Sequence, residues 1–138
     1  MVHDDVVLAK IASVERCLRR VRSVTGGDPE RLSDIDVQDI FVLNLERAVQ
    51  ATIDLAVRVV TREGLGVPAT LKESFSLLES NGLLEASLAQ RLRSMVGFRN
   101  IAVHAYQDLN LAVLKAILTE YLTDLEEFCR VVLALPQK

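Results

Sequence analysis

The chain is poor in histidine: among 138 residues there are two, His3 and His104. Aromatic residues make up 4% of the chain, with three prolines and six glycines, too few flat side chains and turn formers for a many-turned sandwich or barrel. The two cysteines, Cys17 and Cys129, stand far apart with no CxxC spacing and no adjacent histidine. That excludes a zinc-finger spacing and a disulfide framework, and leaves two buried thiols as the expectation. No stretch approaches the roughly 20 consecutive apolar residues a membrane-spanning helix needs. The start, MVHDD, is acidic where a signal peptide is basic and then apolar, so a cytoplasmic protein without a membrane segment is expected. The net charge of −3 supplies no global attraction to nucleic acid.

What is present is aliphatic. Half the residues are apolar, mostly Leu, Val, Ala and Ile, which is enough to close one core in a chain of this length. The expectation is therefore a single all-α domain over residues 1–138, an antiparallel up-and-down bundle of four main helices plus one short helix. Asp4 or Asp5 caps a first helix whose Val7, Ile11, Val14, Leu18 and Val21 recur at helical spacing until Gly26 and Gly27. Arg16 and Arg20 lie opposite that stripe, as a solvated face or as a rim that attracts a polyanion.

Asp34 or Asp36 caps a second helix reaching about Arg62. It carries two apolar stripes: Phe41, Leu45, Ala48, Leu55 and Val59 on one side, and Val42, Val49, Ile53 and Val60 on another. A helix apolar over that much of its girth is buried on more than one face, in the bundle centre or against a second subunit. Its polar residues Asn44, Arg47, Asp54 and Arg58 share one quadrant, with Asp54 and Arg58 spaced as an i, i+4 pair. That quadrant is either a structural seam or support for a site, with Arg47 and Asp54 its candidate members. Thr70 and Glu73 form a capping box for a short helix ending at Asn81-Gly82, anchored by Phe75 and Leu78. The last helix starts after Asp108 or Asn110 and repeats Leu111, Leu114, Leu118, Tyr121, Leu125, Phe128, Val132 and Leu135 until Pro136. Lys115, Glu120, Asp124, Glu127 and Arg130 fall mostly outside.

Between these lies the segment that packing does not explain. Leu84, Leu88, Leu92 and Met95 step along one face of a fourth helix, and the next position in the series is Arg99, opening RNIAVHAY. A guanidinium facing a core without a partner is costly, so the face there is a cleft or interface, or it ceases to be buried. His104 stands five residues on, about 140° around a straight helix and about 7.5 Å along it. The helix must therefore end or bend around Val103 to Gln107 if Arg99, His104 and Tyr106 are to converge. From Ala86 to Gln107 there are three arginines and no carboxylate, whereas from Asp108 onward five acids face three bases.

This cluster admits a structural reading, with Arg99 paired to a carboxylate such as Asp54 and Tyr106 in the core. Metal binding fits poorly, because one histidine without cysteine or carboxylate neighbours makes a thin ligand set. No spacing supports a serine triad or a phosphate-binding loop. The residue types suit attack by a ribose 2′-hydroxyl on its own phosphate, where a group of near-neutral pKa moves protons and a guanidinium steadies a pentacoordinate dianion. One chain has one such histidine, and a twofold dimer would have two, with the over-apolar second helix as a candidate dimer surface.

The arrangement Arg99-Asn100, three apolar residues, His104, one residue, Tyr106, placed ahead of the last helix of a small α bundle, resembles the signature of the HEPN superfamily and specifically of HepT-like toxins. The flanks MVGFRNIAVHAY and NLERAVQATIDLA are similar as well, so the resemblance runs from about Asp36 to Phe128. It implies a homodimeric, metal-independent endoribonuclease without cofactor, the toxin of a type VII-like toxin-antitoxin pair. RNA is then the substrate, and an MntA-like nucleotidyltransferase the antitoxin. By the resemblance Arg99 and His104 are catalytic, Asn100 supports them, and Tyr106 carries AMP added by the antitoxin. The competing expectation is a non-catalytic, nucleotide- or substrate-binding helical subunit of a two-component nucleotidyltransferase, using Arg99 and Tyr106 for contact alone.

Overall fold

The computed structural model describes residues 4–104 and 110–136, apart from the side chains of 102–104. Helix α1 spans Asp5–Thr25; Asp4 caps it by accepting from the amides of Val6 and Val7, and Gly26 ends it at φ 63°. That left-handed turn is one that glycine adopts without the Cβ penalty. A 3₁₀ turn, Pro29–Ser33, stands where the Gly-Asp-Pro stretch reads only as a turn. Helix α2, Ile35–Arg62, is capped by Asp34. Helix α3, Leu71–Ser80, opens on Thr70, whose hydroxyl accepts from the Glu73 amide at 3.2 Å. Helix α4 spans Ala86–His104. Asn110 caps α5, Leu111–Ala116, which runs through a π-helical turn, Ile117–Tyr121, into α6, Leu122–Leu133. The expected architecture holds: α1, α2, α4 and the α5–α6 rod are the main helices, and α3 is the short one.

Named contacts fix the directions. Arg58 reaches Asp4 and Lys10 reaches Asp54, while Arg16 and Arg20 share a groove with Arg47 and Ile40, so α1 and α2 are antiparallel. Arg91 meets Asp124, while Leu84 and Val131 line one groove, so α4 and α6 are antiparallel too. Arg22 reaches Glu126, and Val14 shares a pocket with Leu133, so α6 also runs antiparallel to α1. Lys115 on α5 reaches Glu30 in the 3₁₀ turn. The C-terminal end of α4 therefore lies at the end of the bundle where α1 stops and α2 begins.

All the stripe residues of α1 and α2 are buried. Helix α2 touches α1, α3, α4 and α6, so its apolar girth is consumed inside one chain. The alternative in which α2 supplies a dimer surface is thereby replaced by the bundle-centre reading. Phe75 of α3 and Phe128 of α6 close the core edge to face, with ring centroids 5.5 Å apart, a geometry worth about 0.5–1.5 kcal/mol beyond its burial.

The last rod departs from a uniform 3.6-residue repeat. Its buried positions run Leu114, Ile117, Leu122, Leu125, Phe128 and Val132, and the five-residue step from Ile117 to Leu122 coincides with the π turn. A π turn accommodates one extra residue and rotates everything after it. Tyr121, expected in the core, is consequently 36% exposed, and Asp124, expected outside, is 6% exposed. The buried carboxylate is partnered through Oδ1 by Arg91 Nε at 3.0 Å. The i, i+4 pair of Asp54 with Arg58 is likewise replaced: Asp54 accepts from Lys10 and Gln50, and Arg58 Nε donates to Asp4 at 2.8 Å.

Candidate active site at the end of helix α4

Leu88, Leu92 and Met95 are buried along one face of α4, and Arg99 continues that face at the point where burial becomes partial. Among the three arginines of this stretch, electrostatics separates one from the others. Arg91 is neutralised by Asp124, and Arg93 by Glu79 at 2.8 Å. Arg99 has no carboxylate partner among the described residues. Its Nη1 donates a long bond to Asn100 Oδ1 at 3.4 Å, and its buried Nε finds no hydrogen-bond acceptor among them. A buried donor left unpaired costs free energy that folding alone does not return. The arrangement offers a cation whose remaining valence waits for an anion.

Helix α4 runs to His104. The side chain of His104, the tyrosine at 106 and the expected bend up to Gln107 lie outside the described residues. Asn100 is exposed and adjoins Arg99. Asp54 is engaged by Lys10 and Gln50 toward the first half of α1, the opposite end of the bundle from Arg99, so the structural pairing of Arg99 with Asp54 does not form. Arg47 lies on the outer face of α2, in a groove shared with Arg16 and Arg20.

A further cation that sequence reasoning passed over is Lys72, in the first turn of α3. A Cβ built on Gly97 would stand 3.9 Å from Lys72 Nζ. Lys72 therefore stands against α4 at Gly97, two residues before Arg99. The capping box at Thr70 and the lone glycine in α4 were its visible signals, but only packing brings them together.

Beside Arg99, α4 and the α5–α6 rod leave an apolar groove of about 320 Å³ lined by Met95, Phe98, Val113, Ile117 and Tyr121, with Ser94 and Gln90 at its polar rim. Val113, Ile101 and Tyr121 are exposed large apolar side chains at this end. The buried Cys129 is not a nucleophile: burial, reinforced by Glu15 and Glu126, pushes its thiol up to about 12. No three side chains of His, Cys, Asp or Glu gather as a possible metal site among the described residues.

Comparison with known proteins places this geometry in context. Residues 14–132 match the family model described as ribonuclease HepT-like. The chain is 39% identical over 131 residues to a Shewanella oneidensis protein named mRNA nuclease HepT, covering 95% of this chain and 98% of that one. A solved structure of a tri-AMPylated HEPN toxin from Shewanella oneidensis, in complex with an MNT antitoxin, superposes with a TM-score of 0.91 at 39% identity, covering 96% of this chain and all of that one. A toxin-antitoxin crystal structure with AMP-PNP gives a TM-score of 0.90 at 38% identity, with 96% of this chain and all of that one covered.

Proposed function

The chain belongs to the ribonuclease HepT-like family, and from that premise we propose that it is the toxin of a toxin-antitoxin pair, a metal-independent endoribonuclease whose site is completed by two copies of the chain. His104 of one copy takes the proton of a ribose 2′-hydroxyl as that oxygen attacks the adjacent phosphorus. The bond from phosphorus to the 5′-oxygen breaks, and His104 of the second copy returns a proton to the leaving oxygen. Arg99 neutralises the pentacoordinate dianion in between, and Asn100 holds the guanidinium. The products are a 2′,3′-cyclic phosphate and a 5′-hydroxyl, and no metal or redox step is needed for balance.

The observation that carries this reading is the state of Arg99: among the described residues it is the arginine of α4 without a carboxylate partner, and its buried Nε finds no acceptor there. A scissile phosphate supplies the missing acceptor. The exposed apolar side chains Val113 and Tyr121, which line the groove, and Ile101, exposed on α4, support a second copy docking at this end, since exposed apolar patches are characteristic of interfaces. Neutralisation by a nucleotidyltransferase antitoxin follows the same electrostatics: AMP joined to Tyr106 places a phosphate where the substrate phosphate must bind. Asp54 is assigned a structural role with Lys10.

The test is cleavage of RNA by purified protein in excess EDTA. Native protein cuts, and His104→Ala loses at least about 10²-fold in rate while retaining its helical circular dichroism. Cleavage that survives the substitution overturns the assignment. Co-expression with the antitoxin should raise the intact mass by whole AMP increments, and Tyr106→Phe should stay unmodified and toxic.

A further inference from the structure

The outer groove between α1 and α2 is lined by Arg16, Arg20, Asn44 and Arg47, with a volume of about 560 Å³. None of its three arginines has a carboxylate within ion-pair distance among the described residues, whereas Arg22, Arg58, Arg62, Arg91, Arg93 and Arg130 are all paired. In a chain of net charge −3, three uncompensated guanidinium groups facing one groove form a local positive field against the overall sign. Such a field acts within roughly a Debye length, about 8–10 Å at physiological ionic strength. Between the arginines the groove is lined by Ile40, Leu43 and the buried Cys17, apolar surface along which arginine stems lie while their heads stay in water. Positions 40 to 47 of α2 span about 10 Å along the axis, room for about two backbone phosphates. The antiparallel order of the bundle sets this groove in the half where α1 ends, the half that also holds the end of α4.

We propose that the α1–α2 groove is a second contact for the RNA substrate, binding backbone phosphates beyond the cleaved bond through Arg16, Arg20 and Arg47, without base recognition. This inference rests on the ribonuclease reading and extends the substrate footprint from one phosphate to a strand. Planar guanidinium groups suit phosphate oxygens, and the groove has no aromatic side chain on which a base could stack, so sequence-independent contact is expected.

The probe is a fluorescein-labelled, fully 2′-O-methylated 20-nucleotide RNA, which binds but lacks the attacking hydroxyl. Its affinity for full-length protein is measured from low to moderate salt. In the variant Arg16→Gln/Arg20→Gln/Arg47→Gln, affinity at low salt falls at least about tenfold. The slope of log K against log salt becomes shallower by about 2, from about 0.7 per phosphate contact on a single strand. A control, Arg19→Gln/Arg130→Gln, which removes two positive charges outside the groove, keeps the native slope. A native slope in the groove variant, with or without loss of antitoxin binding or of dimerisation, overturns the assignment. The ribonuclease reading is judged separately, by whether native protein cuts the same RNA carrying free 2′-hydroxyls. Cutting with a native slope in the groove variant removes this inference alone; no cutting removes the premise.

Discussion

Replacing Arg99 by methionine should make the protein more stable and inactive at once. The Nε donor of Arg99 is buried without an acceptor among the described residues, and a buried unsatisfied donor costs about 1–3 kcal/mol. The rest of the guanidinium is partly hydrated, and its 3.4 Å bond to Asn100 is too long to return more than a few tenths of a kcal/mol, so the recoverable part lies near the lower bound. Methionine is a good helix former and extends the apolar face of Leu88, Leu92 and Met95. The expected gain is about 1 kcal/mol, or roughly 3–5 °C in Tm for a domain of this size. Loss of a charged group aimed at a transition-state oxyanion costs about 10²–10³ in rate. Urea unfolding followed by circular dichroism, at fixed protein concentration because a dimer's stability depends on it, is paired with the cleavage assay. A variant destabilised by more than about 1 kcal/mol that still cuts RNA would show that Arg99 is a structural arginine and refute the reasoning.

The buried Asp124 gives a complementary test. Arg91→Met leaves its carboxylate without a partner and should cost about 2–3 kcal/mol, below the value for a fully buried pair because the Arg91 side chain is 43% exposed. Adding Asp124→Leu should recover most of that loss in the urea midpoint, and a double variant no better than the single would refute the pairing. With its thiol pushed up to about 12 by burial, Cys129 should resist iodoacetamide at about pH 8 until the chain is unfolded; rapid modification of the native protein at that residue, read by mass spectrometry, would contradict this. Asp4 accepts from Arg58, which holds its carboxyl below the ordinary value. A group with a depressed folded pKa contributes stability that is present above the unfolded value and lost as pH falls through the folded one. The Tm difference between native protein and Asp4→Asn should therefore shrink as pH drops from about 6 to about 2.5, and a difference independent of pH would exclude the charge as its source.

The helices and their caps were legible because the signals are local. Asp34 and Thr70 sit where side-chain oxygens can reach amides two or three residues on, and the stripe of α1 is a property of spacing alone. The end of the last rod was not legible. A π turn leaves no composition signature, so a uniform repeat put Tyr121 inside and Asp124 outside, and the observed burial is the reverse. Polar pairing was also beyond the sequence: Asp54 and Arg58 have the right spacing to meet, yet Asp54 pairs with Lys10 of α1 and Arg58 with Asp4, the residue that caps that helix.

Arg99 joins the two levels. That a permanent cation falls on an apolar face, amid arginines without nearby acids in the chain, follows from residue order alone, which sets composition and helical periodicity. Which of those arginines keeps no carboxylate among the described residues is a matter of packing, because the acids that neutralise Arg91 and Arg93 come from α6 and α3, elements that reach α4 only when the core closes. The same closure gathers Arg16, Arg20 and Arg47 into one groove and brings Lys72 against Gly97. Charge balance at a site is a sum over spatial neighbours, and residue order does not supply that sum.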